Sequence, residues 1–286
     1  MFRPDWARRV PRGMLRVLGG ATVLATASTA LTAQPAMAVA GCYGDCKPGV
    51  DRSAGVLKYD ASVGVRDQIT VSAGNGFLTV TDPAATLTAG TGCTLVTAHE
   101  ARCSSATFIA IRGLDGDDVI TNSTGIAARL SGGDGNDHLV GGSGDDTLIG
   151  GFGADLLQGG GGSDTASYSE ISSRLGVRAD LDGATGDDGS SEDGPTGARD
   201  TIAADVENLE GTIADDVLIG NPGPNVINAS GGHDQIQGQG GNDELTGRGG
   251  GTVDGGAGTD VCTSDLRGLP AQADTFAGCE TTQIVT

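Results

Sequence analysis

The sequence is poor in aromatic side chains, which make up 3% of its 286 residues, although it contains 51 glycines. Aromatic residues bury the largest apolar areas in ordinary domains, so their scarcity argues against a conventional globular core. A solenoid avoids this difficulty, because each thin coil contacts only its neighbours and needs few large side chains. The composition therefore favours a solenoid.

Basic residues are also scarce. The chain has 17 lysines and arginines against 37 aspartates and glutamates, and its formal net charge is −20. A protein that binds nucleic acid needs a basic surface to neutralise phosphates. We therefore expect no nucleic-acid partner.

Long apolar runs are missing as well. The most apolar stretch, residues 19–33, is short and rich in alanine and threonine, which argues against a transmembrane anchor. It follows an arginine-rich region and precedes Ala36-Met37-Ala38, an A-x-A cleavage site, with Ala38-Val39-Ala40 as a near alternative. We interpret residues 1–38 as a signal peptide and expect a secreted, extracellular protein, either free or associated with the cell surface.

A nonapeptide repeat dominates the rest of the chain. Residues 132–167 read GGDGNDHLV, GGSGDDTLI, GGFGADLLQ and GGGGSDTAS, with glycine at positions 1, 2 and 4, aspartate at position 6 and an apolar residue at position 8. The frame recurs at 113–121, 211–246 and 255–263. Position 6 is held by Asp118, Asp137, Asp146, Asp155, Asp164, Asp216, Asn225, Asp234, Asp243 and Asp260. A flexible Gly/Asp-rich linker would not need this spacing, which is typical of a solenoid.

The residue types at these positions suit a calcium site. Glycine permits a tight turn with positive φ, and such a turn aims backbone carbonyls inward. Calcium takes about 6–8 oxygen ligands, and the position-6 aspartate adds a carboxylate to the carbonyls. Position 8 lies on a very short strand and points into the interior. We expect metal ligands at the position-6 aspartates and at the position-1 glycines of the main block: Gly132, Gly141, Gly150 and Gly159.

With these motifs the chain resembles the RTX, or haemolysin-type, calcium-binding repeat family. The resemblance implies an all-β fold, a parallel β-roll or β-solenoid of Gly/Asp-rich nonapeptides with a small N-terminal β-region. It implies that two nonapeptides form one coil and that each Ca²⁺ lies between repeats i and i+2. The resulting pairs are Asp137 with Asp155, Asp146 with Asp164, and Asp216 with Asp234. Asn225 lies opposite Asp243, and we expect a weaker site there. Because stacked carboxylates repel one another without the ion, we also expect calcium-dependent folding.

The repeats divide the chain into segments. We assign residues 39–112 to an N-terminal β-rich region or solenoid cap, 113–167 and 211–263 to two RTX repeat blocks, 168–210 to an irregular acidic insertion and 264–286 to a C-terminal cap. In the N-terminal region, Asn75-Gly76 indicates a β-hairpin. In the insertion, Asp180-x-Asp182-Gly183 is similar to part of an EF-hand loop, but Arg178 would occupy the first ligand position, which excludes an EF-hand.

Six cysteines in a secreted chain favour three disulfides. Proximity suggests Cys42–Cys46, Cys93–Cys103 and Cys262–Cys279, although the sequence alone leaves the other pairings open. Val39-Ala40-Gly41-Cys42 is also similar to a lipobox, which would make Cys42 a lipid-modified N-terminus. That alternative leaves an odd number of cysteines. No C-x₂-C pair indicates a zinc site.

The sequence lacks complete versions of two common catalytic motifs. His99-Glu100 begins an H-E-x-x-H motif, but Cys103 stands in place of the second histidine. The other two histidines, His138 and His233, are at variable repeat positions, where we expect them to face solvent. The chain also lacks a G-x-S-x-G nucleophile motif. We therefore expect a non-catalytic structural or interaction module. The alternative is a secreted hydrolase with calcium-stabilised repeats and an unrecognised active site in residues 43–112.

Overall fold

The structure is a computed structural model that describes residues 48–170, 175–193, 195, 197, 199–267 and 272–286. The predicted signal peptide, the lipobox-like sequence and the predicted Cys42–Cys46 pair lie outside the described residues. Within the described ranges, no helix is long and apolar enough to cross a membrane.

All regular secondary structure in the described residues is β-strand. The N-terminal region contains β1 (Gly49–Ser53), β2 (Val56–Asp60), β3 (Gln68–Gly74), β4 (Phe77–Thr81), β5 (Thr88–Ala89), β6 (Cys93–Thr97), β7 (Glu100–Ser104) and β8 (Phe108–Asp115). The first repeat block contains β9 (Val119–Asn122), β10 (Ala128–Asp134), β11 (His138–Gly142), β12 (Thr147–Phe152), β13 (Leu156–Gly160) and β14 (Thr165–Ser167). The insertion contains β15 (Val177–Asp180), β16 (Gly189–Ser190), β17 (Thr201–Ile202) and β18 (Asn208–Glu210). The second block and the tail contain β19 (Val217–Ile219), β20 (Val226–Asn228), β21 (Gln235–Gln237), β22 (Gly240–Gly241), β23 (Glu244–Gly247), β24 (Thr252–Asp254), β25 (Ala257–Gly258), β26 (Val261–Asp265), β27 (Thr275–Ala277) and β28 (Thr281–Val285).

Through the repeats, successive strands alternate between two walls. The first wall is a 12-stranded sheet with the order β28-β26-β23-β20-β18-β14-β12-β10-β8-β2-β1-β5. The second wall consists of an 8-stranded sheet, β17-β13-β11-β9-β3-β4-β7-β6, and a 6-stranded sheet, β16-β15-β19-β21-β24-β27. A 2-stranded sheet, β22-β25, joins two turns of the second block. Strands of neighbouring coils are parallel and in register, as in Leu130↔Leu148 and Leu139↔Leu157. The predicted all-β parallel solenoid is therefore confirmed.

The position-8 side chains, and the residues in register with them in the coils outside the repeats, form two buried rows between the walls. Each of these side chains is at most 1% exposed: Ile69, Ile111, Ile120, Leu130, Leu139, Leu148, Leu157, Ala166, Ile202, Leu209, Leu218, Ile227, Ile236, Leu245, Val253 and Cys262. Because each coil contributes only one such residue to each wall, the core is continuous but thin. This arrangement explains how a chain so poor in aromatics buries an apolar interior.

The N-terminal region continues the two walls before the repeats begin. Strand β2 pairs in parallel with β8, and β3 pairs in parallel with β9. The hairpin of β3 and β4 turns at Asn75 and Gly76, which have φ values of 53° and 81°. The disulfide Cys93–Cys103 links β6 to β7, and Cys262–Cys279 links β26 to the last coil, so both predicted pairs within the described residues are confirmed.

The insertion interrupts the second wall. Strand β17 pairs with β13 and ends the 8-stranded sheet, whereas β15 pairs with β19 in the 6-stranded sheet. The first wall stays continuous there, because β14 pairs with β18 and β18 with β20. At the other end, residues 264–286 extend both walls by adding β27 beside β24 and β28 beside β26.

Candidate metal centre

The position-6 aspartates of successive coils lie directly above one another at the turns. The backbone N–H of each donates to Oδ1 of the aspartate in the next coil. The distances are 2.7 Å for Asp118 to Asp137, 2.7 Å for Asp137 to Asp155 and 2.8 Å for Asp146 to Asp164. In the second block they are 3.0 Å for Asp216 to Asp234, 2.9 Å for Asn225 to Asp243 and 2.9 Å for Asp243 to Asp260. We call these columns the carboxylate ladders. They place together every pair that the sequence predicted.

The second carboxylate oxygen, Oδ2, is left without a hydrogen bond along most of the ladders. Within the described residues this buried oxygen has no donor in Asp118, Asp137, Asp146, Asp155, Asp164, Asp234, Asp243 and Asp260. Burial of an unpaired carboxylate oxygen is costly, and a bound cation or a proton is needed to compensate it. The same unsatisfied oxygen recurs in these eight side chains, which indicates one common partner.

The position-1 glycines lie against the same oxygens. A Cβ on Gly141 would lie 2.6 Å from Oδ2 of Asp146 and 2.5 Å from the carbonyl oxygen of Gly159 in the next coil. An added Cβ would likewise meet the carboxylate of Asp137 at Gly132, that of Asp155 at Gly150 and that of Asp164 at Gly159. A carboxylate oxygen and a main-chain carbonyl therefore face one small space that any side chain would fill. Such oxygens are the donors that Ca²⁺ prefers, so the residues fit this ion.

Positions 2 and 4 explain the turn itself. Gly133 and Gly135 have φ values of 120° and 142°, which residues with a Cβ rarely adopt. A Cβ at either glycine would also collide with a carbonyl oxygen of the preceding coil, that of Leu114 or Gly116. The two glycines thus allow the close stacking of turns that creates the ladders.

Asp216 differs from the other predicted ligands. Its Oδ2 accepts a hydrogen bond of 2.7 Å from the backbone N–H of Thr212, and its Oδ1 accepts bonds from Thr212 Oγ1 and from the N–H of Val177. Thr212 occupies position 2, where the main block has glycine. At the Asp216–Asp234 pair, only Asp234 therefore offers an uncommitted oxygen.

Asn225 presents a donor where its neighbours present a negative charge. Its Nδ2 donates to the carbonyl oxygen of Glu207 at 2.7 Å and to Oδ1 of Asn221 at 3.2 Å. Its Oδ1 accepts from the N–H of Asn221 at 2.8 Å. The amide is thus fully engaged by the protein.

Burial raises the pKa of the ladder carboxyls. The pKa is about 6 for Asp137, Asp164 and Asp243, about 7 for Asp118, Asp146 and Asp234, and about 8 for Asp155. The loss of hydration is the largest cause, and neighbouring carboxylates add to it, whereas the ladder hydrogen bonds oppose it. Without a cation these groups therefore take up protons near neutral pH.

Several ladder members were missed by the sequence reasoning. Asp67 donates its N–H to Asp118, Asp155 donates to Asp200, and Gly251 donates to Asp274, at 2.7, 3.0 and 2.7 Å. Two glutamates, Glu207 and Glu280, accept from the N–H groups of Asp164 and Asp260 at 2.9 and 2.8 Å. Their repeats lack the glycines of the motif. In the sequence, these residues could have been found as acidic residues two positions before the inward-facing residue of a short strand, as Asp67 is before Ile69.

Position 5 forms a second column that the motif also did not reveal. Oδ1 of Asp117 accepts the N–H of Asn136 at 3.0 Å, and Oδ1 of Asn136 accepts the N–H of Ala154 at 2.8 Å. Asp145 and Ser163 make the same contact at 2.9 Å. At position 5 the N–H group of the later coil donates, whereas at position 6 the N–H group of the earlier coil donates. Hydrogen bonds therefore run in both directions between adjacent turns.

The three histidines lie in different parts of the fold. His99 Nδ1 lies 2.6 Å from the carbonyl oxygen of Ala85, and Cys103, in the place of the missing zinc ligand, is held in the disulfide. His233 is exposed as expected. His138, which we expected to face solvent, is partly buried, and its Nε2 lies 2.6 Å from Oε1 of Gln158 in the next coil. His138 is at position 7 and Gln158 is at position 9 of its repeat, and both positions alternate with the buried position 8, so the two side chains meet on the outer face of the wall.

Comparison with known proteins agrees with this geometry. The profile of the RTX calcium-binding nonapeptide repeat (4 copies) matches residues 131–166, 210–245 and 219–252. A comparison with curated proteins finds no match for this chain. RTX nonapeptide repeats bind calcium ions, and the matched residues contain the main ladder positions. The chain therefore carries RTX calcium-binding nonapeptide repeats, and these repeats form its β-roll.

Proposed function

We propose that this chain is a secreted, non-catalytic module whose repeats fold around calcium outside the cell. One observation carries the proposal: the row of buried Oδ2 oxygens that no donor satisfies within the described residues. A purely structural spacer has no use for such costly groups. A hard divalent cation would offset that cost, and the carbonyls beside the oxygens supply further ligands.

The proposed ligands are the position-6 aspartates together with the position-1 glycine carbonyls. Asp137 with Asp155 and Asp146 with Asp164 form the strongest sites, because all four aspartates have an unsatisfied Oδ2. The Asp216–Asp234 site is weaker, since both carboxylate oxygens of Asp216 already accept hydrogen bonds from Thr212. The Asn225–Asp243 site is weaker too, because an amide replaces one carboxylate.

A calcium titration followed by far-UV circular dichroism tests the proposal. Binding only to the folded state stabilises it by about 2.7 kcal/mol per site at a hundredfold excess over Kd. Several sites should therefore drive a cooperative gain of β-structure. Extracellular calcium modules have Kd values of about 10⁻⁴–10⁻³ M, so we expect the midpoint near millimolar calcium. A β-signal that is the same in EDTA and in saturating calcium would contradict the proposal.

The non-catalytic role is supported by the state of the residues that suggested chemistry. His99 is bonded to a backbone carbonyl, and Cys103 is in a disulfide. We expect no turnover of casein or short esters with or without calcium. Calcium-dependent turnover that His99→Ala abolishes would favour the secreted hydrolase instead.

Export is proposed from the N-terminal sequence. We expect the released protein to begin near Val39 and to contain three intramolecular disulfides. Intact mass before and after reduction measures both properties. A diacylglyceryl mass on Cys42 would show that the protein is anchored to the membrane through a lipid and is not simply secreted.

A further inference from the structure

Three aspartates of the acidic insertion converge away from the ladders. One carboxylate oxygen from each of Asp180, Asp182 and Asp187 lies within 4.8 Å of the others. Ca–O bonds are about 2.3–2.6 Å long, so one ion can contact oxygens separated by up to about 5 Å. The spacing of the three carboxylates is therefore compatible with a shared cation.

Asp180 is an unusual member of this cluster because it is only 5% exposed. Its Oδ2 accepts a bond of 3.0 Å from the Arg178 guanidinium, but its buried Oδ1 has no donor within the described residues. The Oδ1 of Asp187 is also buried and has no donor among them. Asp180 and Asp187 therefore each have a buried oxygen that no donor in the described part of the chain satisfies.

The charges of the cluster do not balance. Arg178 donates to Asp180, and the cluster contains three carboxylates. Burial, followed by the adjacent carboxylate of Asp182, raises the pKa of Asp180. A bound divalent cation would neutralise the excess of negative charge and would satisfy both buried oxygens.

The site would be reachable from solvent. Asp182 is exposed, and Asp180 and Asp182 line a cleft of about 320 Å³ together with Asn221 and Gln239. Water and the oxygens of nearby groups could complete the coordination shell, because Ca²⁺ accepts flexible geometry. The exposed edge also makes Asp182 the member that can be substituted with least harm to folding.

The cluster lies where the second wall is interrupted. Asp188, next to Asp187, accepts the N–H of Asp180 in β15 at 2.7 Å and the N–H of Ile202 in β17 at 3.0 Å. Those strands belong to different sheets. A cation held by Asp187 would fix the turn that presents Asp188 to both of them.

We propose that Asp180, Asp182 and Asp187 form a divalent-cation site, separate from the nonapeptide ladders, which takes Ca²⁺ and holds the insertion across the break in the wall. The sequence around it is not a nonapeptide, and it is not an EF-hand, because Arg178 stands in the first ligand position of that motif. The proposal concerns an additional ion and does not depend on the ladders binding calcium.

The test is equilibrium dialysis of the full mature chain against radioactive calcium. Asp182→Asn/Asp187→Asn should bind one ion fewer per chain than the wild type. Glu192→Gln, an exposed substitution in the same insertion, removes one negative charge and should keep the wild-type number. The far-UV transition of the repeats should persist in the double variant, which separates this site from the ladders.

Unchanged stoichiometry in the double variant, or an equal loss in Glu192→Gln, would overturn the proposal. If the double variant fails to fold, Asp182→Asn alone decides the question. Asparagine keeps an oxygen for the N–H of Ala184, which Asp182 binds at 2.6 Å. One ion should then bind at least about tenfold more weakly, and full affinity for every ion would refute the site.

Discussion

Each ladder aspartate uses its two oxygens differently. Oδ1 of Asp137 accepts the N–H of Asp118 at 2.7 Å, and Oδ2 has no donor within the described residues. An asparagine can supply the first contact but not the negative charge of the second. The structural and the metal-binding contributions of one side chain can therefore be separated by experiment.

We expect Asp137→Asn to raise the calcium midpoint of folding about tenfold, equivalent to about 1.4 kcal/mol. The ladder hydrogen bond is retained, whereas one charged ligand is lost. Calcium titration by circular dichroism measures the shift. Asp134→Asn makes the same charge change at an exposed position of the same repeat and should move the midpoint little. Equal shifts in the two variants would contradict a ligand role for Asp137.

Gly141→Ala should destabilise the calcium-bound protein by about 1–3 kcal/mol, the usual cost of overpacking. The new Cβ would lie 2.6 Å from Oδ2 of Asp146 and 2.5 Å from the carbonyl oxygen of Gly159. Gly161→Ala is the matched control, because nothing lies within 4 Å of a Cβ there. That variant should be neutral or more stable by up to about 1 kcal/mol. Urea unfolding in saturating calcium would compare them, and a neutral Gly141→Ala would be the contrary result.

At the scale of elements, each coil is a short strand joined to a glycine turn. Strands such as β19, β20 and β21 have three residues, of which only the middle one is buried. One apolar side chain per strand stabilises little, so a coil depends on its neighbours and on its turns. The hydrogen bonds at positions 5 and 6 therefore add to the stability that this thin core provides.

The last coil should depend on its disulfide. Cys262–Cys279 closes a loop with a sequence separation of 17 residues, for which about 3 kcal/mol is typical. Cys279→Ser should accelerate amide exchange in β27 and β28 without affecting β9–β13, since coils contact only their neighbours. Cys93→Ala, at the other end, should leave β27 and β28 protected. Uniform loss of protection in Cys279→Ser would show that the stack unfolds as one unit.

At the scale of the molecule, the raised carboxyl pKa values predict an unusual pH dependence. Asp118 and Asp146 have a pKa of about 7, and Asp155 has a pKa of about 8, against about 4 in an unfolded chain. The folded state then binds more protons than the unfolded state between these pKa values, so metal-free stability is full below about pH 4 and falls as pH rises from about 4 to 8.

We therefore expect more β-structure at pH 5 than at pH 8 in EDTA. Saturating calcium should reverse this order, because protons compete with the ion for the same oxygens. Urea unfolding at both pH values, with and without calcium, measures the four stabilities. Metal-free stability that rises from pH 5 to pH 8 would contradict the assigned protonation of the ladders.

The sequence by itself determined the period and the inward-facing residues, and its resemblance to the RTX repeats implied the pairs of aspartates. The period and the inward-facing residues follow from local chemistry, because glycine favours the turn and position 8 points inward on its short strand. In the structure, two nine-residue units return the chain to the same wall. Asp137 and Asp155, or Leu139 and Leu157, meet for that reason. Any chain that keeps this period places the same residues together.

Only the tertiary structure decided which residues outside the period join the ladders and which converge elsewhere. Asp67 meets Asp118 across 51 residues, and Asp155 meets Asp200 across 45. Loops of arbitrary length separate these partners, so no spacing along the chain predicts their contact. The convergence of Asp180, Asp182 and Asp187 likewise depends on how the insertion turns back against β19. Regular coils are specified by repeated local geometry, whereas their interruptions are specified by packing against the coils on either side.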